Sequence, residues 1–195
     1  MREKLVSQER DPGPALDPLI RQAQAGREEA FHGLYEAYSR KVFGLAYHMT
    51  GDYEAARDVA QDIFLKVFEK LSGYRGEASF STWLYRIAVN TCLDFRRQRS
   101  LMERVVGRVA AHPPHSPAES AEGGLMADER RRRVRQAIAQ LSPKYRAVLV
   151  LKDVQDLSYP EMADILGCSE GTVASRLNKG RKLLYEKLKR LRDKL

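Results

Sequence analysis

The chain has 195 residues, 43% of them hydrophobic, and carries a formal net charge of +8 with an isoelectric point near 9.6. This length allows one ordinary domain or two small ones, and the apolar content excludes a chain that is disordered throughout. Residues 1–127 hold 17 basic and 17 acidic side chains, whereas residues 128–195 hold 17 and 9, so all the excess charge lies in the last third, an asymmetry typical of nucleic-acid binding.

The sequence shows no sign of export, membrane insertion or a bound cofactor. The N-terminal stretch "MREKLVSQERDPGP" has no apolar segment of a secretory signal, and no apolar run approaches the ~20 residues of a membrane span. Cys92 and Cys168 lie far apart, and we interpret His112 and His115 as loop residues rather than metal ligands. We therefore expect a soluble cytoplasmic protein without metal, cofactor or catalytic residues.

Residues 1–17 are polar and proline-containing, which predicts a disordered tail, and helical periodicity dominates residues 18–99. The first long helix has a predicted core face at a spacing of four residues: Leu34, Tyr38, Val42 and Ala46. Gly51 and Asp52 predict the end of this helix and the start of the next, because glycine suits a left-handed position and aspartate caps a helix.

The second predicted helix, from Tyr53 to Leu71, has one apolar face and one acidic face. Its predicted core positions are Ala56, Val59, Ala60, Ile63, Phe64, Val67, Phe68 and Leu71. Its outward side chains are Asp58, Gln61, Asp62, Lys66 and Glu69. Residues 51–70 hold five acids against three bases, so this face is expected to repel DNA. An ordinary solvated helix face is the alternative.

A glycine-containing loop, "SGYRGEASFS", precedes a third helix, which Ser79 or Ser81 can cap and whose predicted core face is Leu84, Ile87, Ala88, Thr91 and Phe95. Residues 74–99 contain five bases, two acids and interleaved aromatic residues. Single-stranded nucleic acid requires this combination, because unstacked bases need ring faces and the backbone needs cations. Core packing explains Trp83 and Phe95 about equally well.

Residues 100–127 concentrate Pro, Ser, Gly and Ala, the composition of a linker. Helical periodicity then resumes, and Ser142 before Pro143 predicts a helix start with proline at its first position. No segment predicts a convincing strand. The expected fold is all-α, with small helical domains at residues 18–99 and 128–195 joined by a flexible linker.

Residues 159–179 have the pattern of a helix-turn-helix. Ser158 and Glu161 have capping-box spacing, and Gly167 supplies a positive φ in the turn. The second helix is expected to pack inward through Val173 and Leu177. Its other faces carry Thr172, Ser175, Arg176, Asn178, Lys179, Arg181 and Lys182. Arginine and asparagine pair with base edges in the major groove, and the basic residues that follow suit phosphates. A solvated helical hairpin is the alternative.

The stretch "LSPKYRAVLVLKDVQDLSYPEMADILGCSEGTVASRLNKGRKLL" resembles region 4 of the extracytoplasmic-function (ECF) sigma factors, in the sigma-70 family of bacterial RNA polymerase. The stretch "DVAQDIFLKVFEKLSGYRGEASFSTWLYRIAVNTCLDFRRQ" is similar to region 2 of that family. The two matches, in order and separated by a linker, cover roughly residues 19–188. The resemblance implies an alternative, non-catalytic sigma factor that binds core RNA polymerase and directs promoter-specific transcription initiation.

The resemblance also implies roles for individual residues. Docking on the clamp helices of the largest polymerase subunit falls to Asp58, Gln61, Asp62, Phe64 and Lys66. Reading and melting the −10 element, with a base flipped into the loop, falls to Tyr74, Ser79, Phe80, Trp83, Arg86, Asn90, Arg96 and Arg97. Reading the duplex −35 element falls to Thr172, Ser175, Arg176, Asn178, Lys179, Arg181 and Lys182. The polymerase would thread the linker, and an anti-sigma factor, often membrane-anchored in relatives, is an expected partner.

Three positions depart from the family pattern or from helix propensity. Trp83 is followed by Leu84, where primary sigma factors carry a tryptophan pair, which predicts weaker melting and a stricter promoter requirement. Ala174 replaces a residue that is basic in many relatives, so one −35 contact is expected to be absent. Gly180 lies in the presumed recognition helix or its continuation and costs about 1 kcal/mol relative to alanine, which suggests a bend.

Two other functions are alternatives to a sigma factor. A stand-alone helix-turn-helix regulator with an N-terminal dimerisation or ligand domain explains residues 128–195 but neither the acidic helix nor the aromatic-basic segment. A nucleic-acid enzyme lacks support, because the sequence offers no catalytic Cys–His pair, no glycine-rich phosphate loop and no convincing metal-carboxylate cluster.

Overall fold

The computed structural model describes residues 17–105 and 125–192, and all regular elements in these ranges are helical. Eight α-helices follow in chain order: α1 Asp17–Gln24, α2 Glu28–Thr50, α3 Tyr53–Lys70, α4 Phe80–Val105, α5 Leu125–Ala139, α6 Pro143–Leu149, α7 Tyr159–Leu166 and α8 Glu170–Arg192. The all-α prediction is confirmed for this part of the chain. Residues 1–16 of the predicted tail, and His112 and His115, lie outside the described residues.

Both ends of the predicted linker, residues 100–127, are helical. Helix α4 continues to Val105 and α5 begins at Leu125, so residues 106–124 are the part of the linker that lies outside the described ranges. The extension of α4 has a local cause, since "LMER" at residues 101–104 consists of strong helix formers.

The first helical region, α1 to α4, is built largely as its periodicity predicts. The predicted core face of α2 is buried, with Leu34, Tyr38, Val42 and Ala46 at most 2% exposed. Gly51 ends α2 with a φ of 79°, and the Asp52 side chain accepts a hydrogen bond of 2.9 Å from the Ala55 amide. The Ser79 hydroxyl accepts a hydrogen bond of 3.1 Å from the Thr82 amide and so caps α4.

The second helical region, α5 to α8, begins its α6 helix at Pro143 as predicted, although the Ser142 side chain makes no capping hydrogen bond. The stretch "AVLVL", residues 147–151, is helical rather than a strand. The π-helical turn Val150–Val154 extends α6. Buried apolar side chains from α6, α7 and α8 then form the core of this region: Val148, Leu149, Met162, Ile165, Val173 and Leu177.

The two helical regions also pack against each other, which the sequence does not predict. The Tyr85 hydroxyl on α4 donates a hydrogen bond of 2.9 Å to Gln155 Oε1, and Gln155 Nε2 donates one of 3.2 Å to the Lys41 carbonyl. The Arg135 guanidinium on α5 lies 5.0 Å from the centre of the Tyr47 ring on α2. As a result, buried side chains of both regions form one continuous core.

Candidate nucleic-acid and protein interfaces

The helix-turn-helix forms through the local signals that the sequence contains. Ser158 and Glu161 make both hydrogen bonds of a capping box at the start of α7. Gly167 adopts the left-handed conformation with a φ of 59° after α7. The Ser169 hydroxyl then accepts a hydrogen bond of 3.2 Å from the Thr172 amide, which caps α8. The capping box and the turn were predicted, and both are confirmed.

Helix α8 presents opposite buried and exposed faces. Val173 and Leu177 are 0% and 2% exposed and hold α8 against the rest of the second region, as predicted. At 100° per residue, the opposite face carries four exposed polar or basic side chains: Ser175, Asn178, Lys179 and Lys182. Thr172 and Arg176 are half-buried at one edge of this face. An α-helix fits the major groove of DNA, and α8 presents uncharged and cationic hydrogen-bonding groups on its exposed face.

Two arginines predicted to contact DNA already contact the protein. Arg176 Nη1 lies 3.8 Å from Cys168 Sγ in the turn. Arg181 Nη2 lies 2.5 Å from Asp153 Oδ1 on the π-helical turn. This hydrogen bond to Asp153 raises the pKa of Arg181 above its ordinary value, so the guanidinium stays charged. Arg181 also lies on a different edge of α8 from Ser175 and Lys179.

Gly180 is buried inside α8 and lies against α6. Helix α8 runs through it without interruption from Glu170 to Arg192. A Cβ atom at this position would lie 3.4 Å from Leu149 Cγ and from the Tyr145 carbonyl oxygen. Gly180 therefore lies close to α6, and an added Cβ would meet α6 at about ordinary van der Waals distance.

Three of the predicted −10 residues form one aromatic cluster at the start of α4. The Tyr74 ring lies 5.6 Å from that of Phe80 and 5.2 Å from that of Trp83. Phe80 is 6% exposed and also packs on Tyr38, so its ring belongs to the core. Trp83 is half-buried and Ser79 is exposed beside it. Of the three rings, Tyr74 and Trp83 therefore keep part of their surface accessible.

The loop before α4 and helix α1 line an open cavity of about 580 Å³. Its lining combines aromatic, charged and amide side chains: Asp17, Arg21, Gln24, Tyr38, Tyr74, Arg75, Glu77, Ser79 and Phe80. This volume lies within the usual range of small-ligand pockets. We call this space the loop cavity.

The predicted −10 residues farther along α4 divide between two faces. Arg86, Asn90 and Arg97 are exposed and fall on one side of the helix at 100° per residue. Arg97 Nη1 also lies 3.4 Å from Asp94 Oδ1. Arg96 turns away from this face and donates a hydrogen bond of 3.4 Å to the Met49 carbonyl. The structure therefore groups three of the four polar residues and separates Arg96 from them.

The outward face of α3 is more apolar than the sequence indicates. Asp58, Gln61 and Asp62 are exposed as predicted, but Leu65 lies among them and is 54% exposed. Phe68, predicted as a core residue, is 61% exposed, so that prediction is wrong. Its ring contacts that of Phe31 on α2 at one edge only, with the ring centres 5.0 Å apart.

Two other predicted polymerase contacts lie at the edges of this face. Phe64 is only 9% exposed, and its ring packs 4.7 Å from that of Tyr35 on α2. Lys66 points towards α4, where its Nζ donates a hydrogen bond of 3.3 Å to the Thr91 hydroxyl. The predicted set therefore spans the α3 surface from α2 to α4 rather than one patch.

An apolar groove of about 730 Å³ lies between α2 and α3. Its walls are mainly aromatic and aliphatic, with two arginines at its rim: Phe31, Tyr35, Arg40, Phe43, Arg57, Gln61, Phe64, Leu65 and Phe68. We call it the aromatic groove. The sequence predicted Gln61 and Phe64 as functional, but not Phe31, Tyr35, Leu65 or Phe68. Periodicity assigns apolar residues to the core and cannot identify those left exposed.

Across residues 17–105 and 125–192, no three His, Cys, Asp or Glu side chains are grouped to hold a metal ion. Among the helices described, none combines the length and apolar character needed to cross a membrane.

Comparison with known proteins follows the same division of the chain. Residues 34–101 match the family model of sigma-70 region 2, and residues 131–184 match that of sigma-70 region 4. The RNA polymerase sigma-H factor of Pseudomonas aeruginosa is 34% identical over 194 residues, which cover 96% of this chain and 98% of that one. The ECF RNA polymerase sigma factor SigW of Bacillus subtilis is 33% identical over 179 residues, covering 88% and 96%.

Among solved structures, the fold is similar to that of the sigma factor RpoE of Bartonella quintana, determined with the anti-sigma factor NepR. The TM-score is 0.68 at 24% identity, with 82% of this chain and 96% of that chain covered.

The chain therefore belongs to the sigma-70 family of RNA polymerase sigma factors, within its ECF subfamily. It is an alternative sigma factor that directs promoter-specific transcription initiation. The stand-alone regulator does not account for the region 2 match in the first helical region.

Proposed function

We propose that three separate surfaces of the sigma factor bind the polymerase, the −10 element and the −35 element. The α3 face with the adjoining aromatic groove docks on the clamp helices of the core polymerase. The start of α4 with the loop cavity reads and melts the −10 element, and the exposed face of α8 reads the −35 element. In this role the chain is a non-catalytic subunit and acts in the cytoplasm, where the polymerase and the chromosome are.

The exposed apolar side chains of α3 carry the docking part of the proposal. Leu65 and Phe68 are 54% and 61% exposed beside the carboxylates of Asp58 and Asp62. Large apolar side chains that stay exposed in a continuous patch commonly mark protein–protein interfaces. An apolar centre with a charged rim also has the composition of such interfaces. Acidic groups beside the patch disfavour DNA, which supports a protein partner.

The distribution of exposed cations supports the DNA-reading part. Arg86, Asn90 and Arg97 share the exposed face of α4, next to the half-exposed rings of Tyr74 and Trp83. Cations beside accessible rings suit a melted strand. Lys179, Lys182 and Asn178 share the exposed face of α8, which suits a duplex major groove.

An anti-sigma factor is part of the proposal as a regulatory partner. The Bartonella quintana sigma factor of similar fold was solved in complex with one. A partner that covers the aromatic groove would compete directly with the polymerase for the same apolar side chains. Co-purification of this chain with such a partner, and its release by core polymerase, would test this part.

Titration of the fluorescently labelled chain with core polymerase lacking any sigma factor tests the docking assignment. We expect saturable one-to-one binding, and Phe68→Ala should weaken it by at least about tenfold if Phe68 is an interface anchor. Leu101→Ala is the matched control, because Leu101 is 54% exposed, close to the 61% of Phe68, but lies near the end of α4. Its binding should stay within about twofold of the unaltered chain. Equal losses for both variants would contradict the α3 docking surface.

A further inference from the structure

Helix α1 lies before residue 34, where the match to sigma-70 region 2 begins, yet one of its side chains holds the loop of the loop cavity. Gln24 Nε2 donates hydrogen bonds of 3.0 Å to the Leu71 carbonyl and 2.8 Å to the Tyr74 carbonyl. The three residues are 47 and 50 positions apart in sequence, so these are tertiary contacts. We infer that Gln24 positions this loop and helps to select the base that enters the loop cavity.

The positioning part follows from how the loop is held. Gln24 fixes the start of the loop through the Leu71 and Tyr74 carbonyls. Farther along, the Tyr74 hydroxyl donates a hydrogen bond of 2.8 Å to the Ala78 carbonyl. Gly76, between these ties, has a φ of 75° and open space around it. These bonds act beside the packing of the Tyr74 ring on Phe80 and Trp83, and those from Gln24 reach the loop from a separate helix.

The selection part follows from the amide group of Gln24. Both hydrogens of Nε2 are used by the two loop carbonyls, which fixes the orientation of the amide. The Oε1 atom accepts no hydrogen bond from the residues that the structure describes, and Gln24 lines the loop cavity. A fixed acceptor in such a cavity favours a ligand that presents a hydrogen-bond donor.

Among the bases, adenine and cytosine carry an exocyclic amino group where thymine carries a carbonyl oxygen. Where the base places this substituent against Gln24 Oε1, an amino group donates a hydrogen bond to it, whereas the carbonyl oxygen of thymine would oppose it, since the N3–H donor of thymine lies at a different ring position. Base flipping enzymes read extruded bases by hydrogen bonds to this same edge. Gln24 is thus assigned as a residue that prefers an extruded adenine or cytosine over thymine. This inference rests on the proposed −10 function of the loop cavity.

The test uses holoenzyme reconstituted from the full chain and core polymerase. The DNA is a synthetic fork with a fixed duplex and a randomised single-stranded window in the non-template strand. Bound DNA is recovered and sequenced, and affinities are then measured for forks that differ at one position. The variants are Gln24→Met, which loses donors and acceptor, and Gln24→Glu, which loses the donors but keeps an acceptor. Gln22→Met is the matched control, because Gln22 is exposed on the same helix.

The unaltered holoenzyme should favour adenine or cytosine over thymine at one window position by roughly tenfold. Gln24→Met should reduce this preference to within about twofold and weaken fork binding, because both the tie and the acceptor are gone. Gln24→Glu should weaken fork binding and keep only part of the preference, because it keeps an acceptor but loses the two bonds that fix it. Gln22→Met should have the same base preference and fork affinity as the unaltered chain. All three variants should bind core polymerase with the affinity of the unaltered chain and have the same melting temperature.

Different failures identify different errors. If Gln24→Met keeps the base preference unchanged, the Gln24 assignment is wrong while the proposed −10 function stands. A preference of the unaltered holoenzyme for thymine has the same two consequences. Fork binding by Gln24→Glu at full strength overturns the positioning role. If the unaltered holoenzyme shows no base preference at any window position, both the inference and the proposed −10 function of the cavity fail.

Discussion

The Arg146 guanidinium on α6 donates a hydrogen bond to the Met49 carbonyl at the end of α2, and so joins the second helical region to the first. Arg146 is 0% exposed, although it is charged. Its Nε donates a hydrogen bond of 3.0 Å to the Ile138 carbonyl, and its Nη2 donates one of 3.0 Å to the Leu141 carbonyl. The carbonyls lie where α2 and α5 end, and the negative ends of the two helix dipoles stabilise the buried cation.

Replacing Arg146 should therefore loosen both regions at once. Arg146→Met keeps the side-chain volume but leaves buried carbonyls without their donor, and we expect the free energy of unfolding to fall by about 2–4 kcal/mol. Urea unfolding followed by circular dichroism measures this change. Lys144→Met is the control, since Lys144 is exposed on the same helix and should change stability by less than about 0.5 kcal/mol. Equal effects would mean that Arg146 does not hold the regions together.

The contact between Gly51 and Ala139 provides an independent test of the packing between regions. A Cβ at Gly51 would lie 2.6 Å from the Ala139 Cβ, and Gly51 has a φ of 79°. Gly51→Ala should destabilise the protein through both the clash and the left-handed strain. Adding Ala139→Gly should recover the part caused by the clash. A double-mutant cycle by urea unfolding measures this coupling, and a coupling near zero would contradict the contact.

Arg176 and Lys182 should affect promoter binding in different ways. Arg176→Ala should cost about 1–3 kcal/mol and relax discrimination at one position of the −35 element, because an arginine reads a base edge. Lys182→Ala should weaken binding to all −35 variants alike and reduce the salt slope by about one, as loss of a phosphate contact does. Holoenzyme binding to −35 variants at several salt concentrations measures both effects. Unchanged discrimination after Arg176→Ala would remove it from the base-reading residues.

Burial raises the pKa of the Cys92 thiol to about 12, from an ordinary value of 9.0. The folded state thus holds this proton more tightly than the unfolded state does. Its contribution to stability is complete below pH 9 and is lost as the pH rises from 9 towards 12. Stability between pH 8 and pH 10.5 should therefore fall less in Cys92→Ala than in the unaltered chain. An equal fall in urea unfolding experiments would contradict this assignment.

The same burial gives the two thiols different reactivity. Cys92 is 0% exposed, whereas Cys168 is half-buried in the helix-turn-helix turn. A thiol reagent at pH 8 should therefore modify Cys168 in the folded chain, and Cys92 only after unfolding. Mass spectrometry of the modified peptides distinguishes the two.

Local signals in the sequence determined most of the secondary structure and the helix-turn-helix. The capping box at Ser158, the left-handed turn at Gly167 and the restart at Gly51 and Asp52 each depend on neighbouring residues, so the sequence alone predicts them. The apolar spacing of α2 and the inward pair of α8 are likewise periodic patterns. The family resemblance rested on these same segments and was confirmed by the comparisons.

Tertiary structure alone decided which apolar and polar side chains are exposed. Phe68 has the spacing of a core residue but remains 61% exposed although its ring contacts Phe31 on α2, whereas Arg146 has the character of a surface residue but fills a buried junction of two helix ends. Gln24 reaches a loop about 50 residues away. Periodicity describes one helix at a time, and these contacts form only where separate helices meet, so the aromatic groove, the loop cavity and the joined core could not be predicted from the sequence.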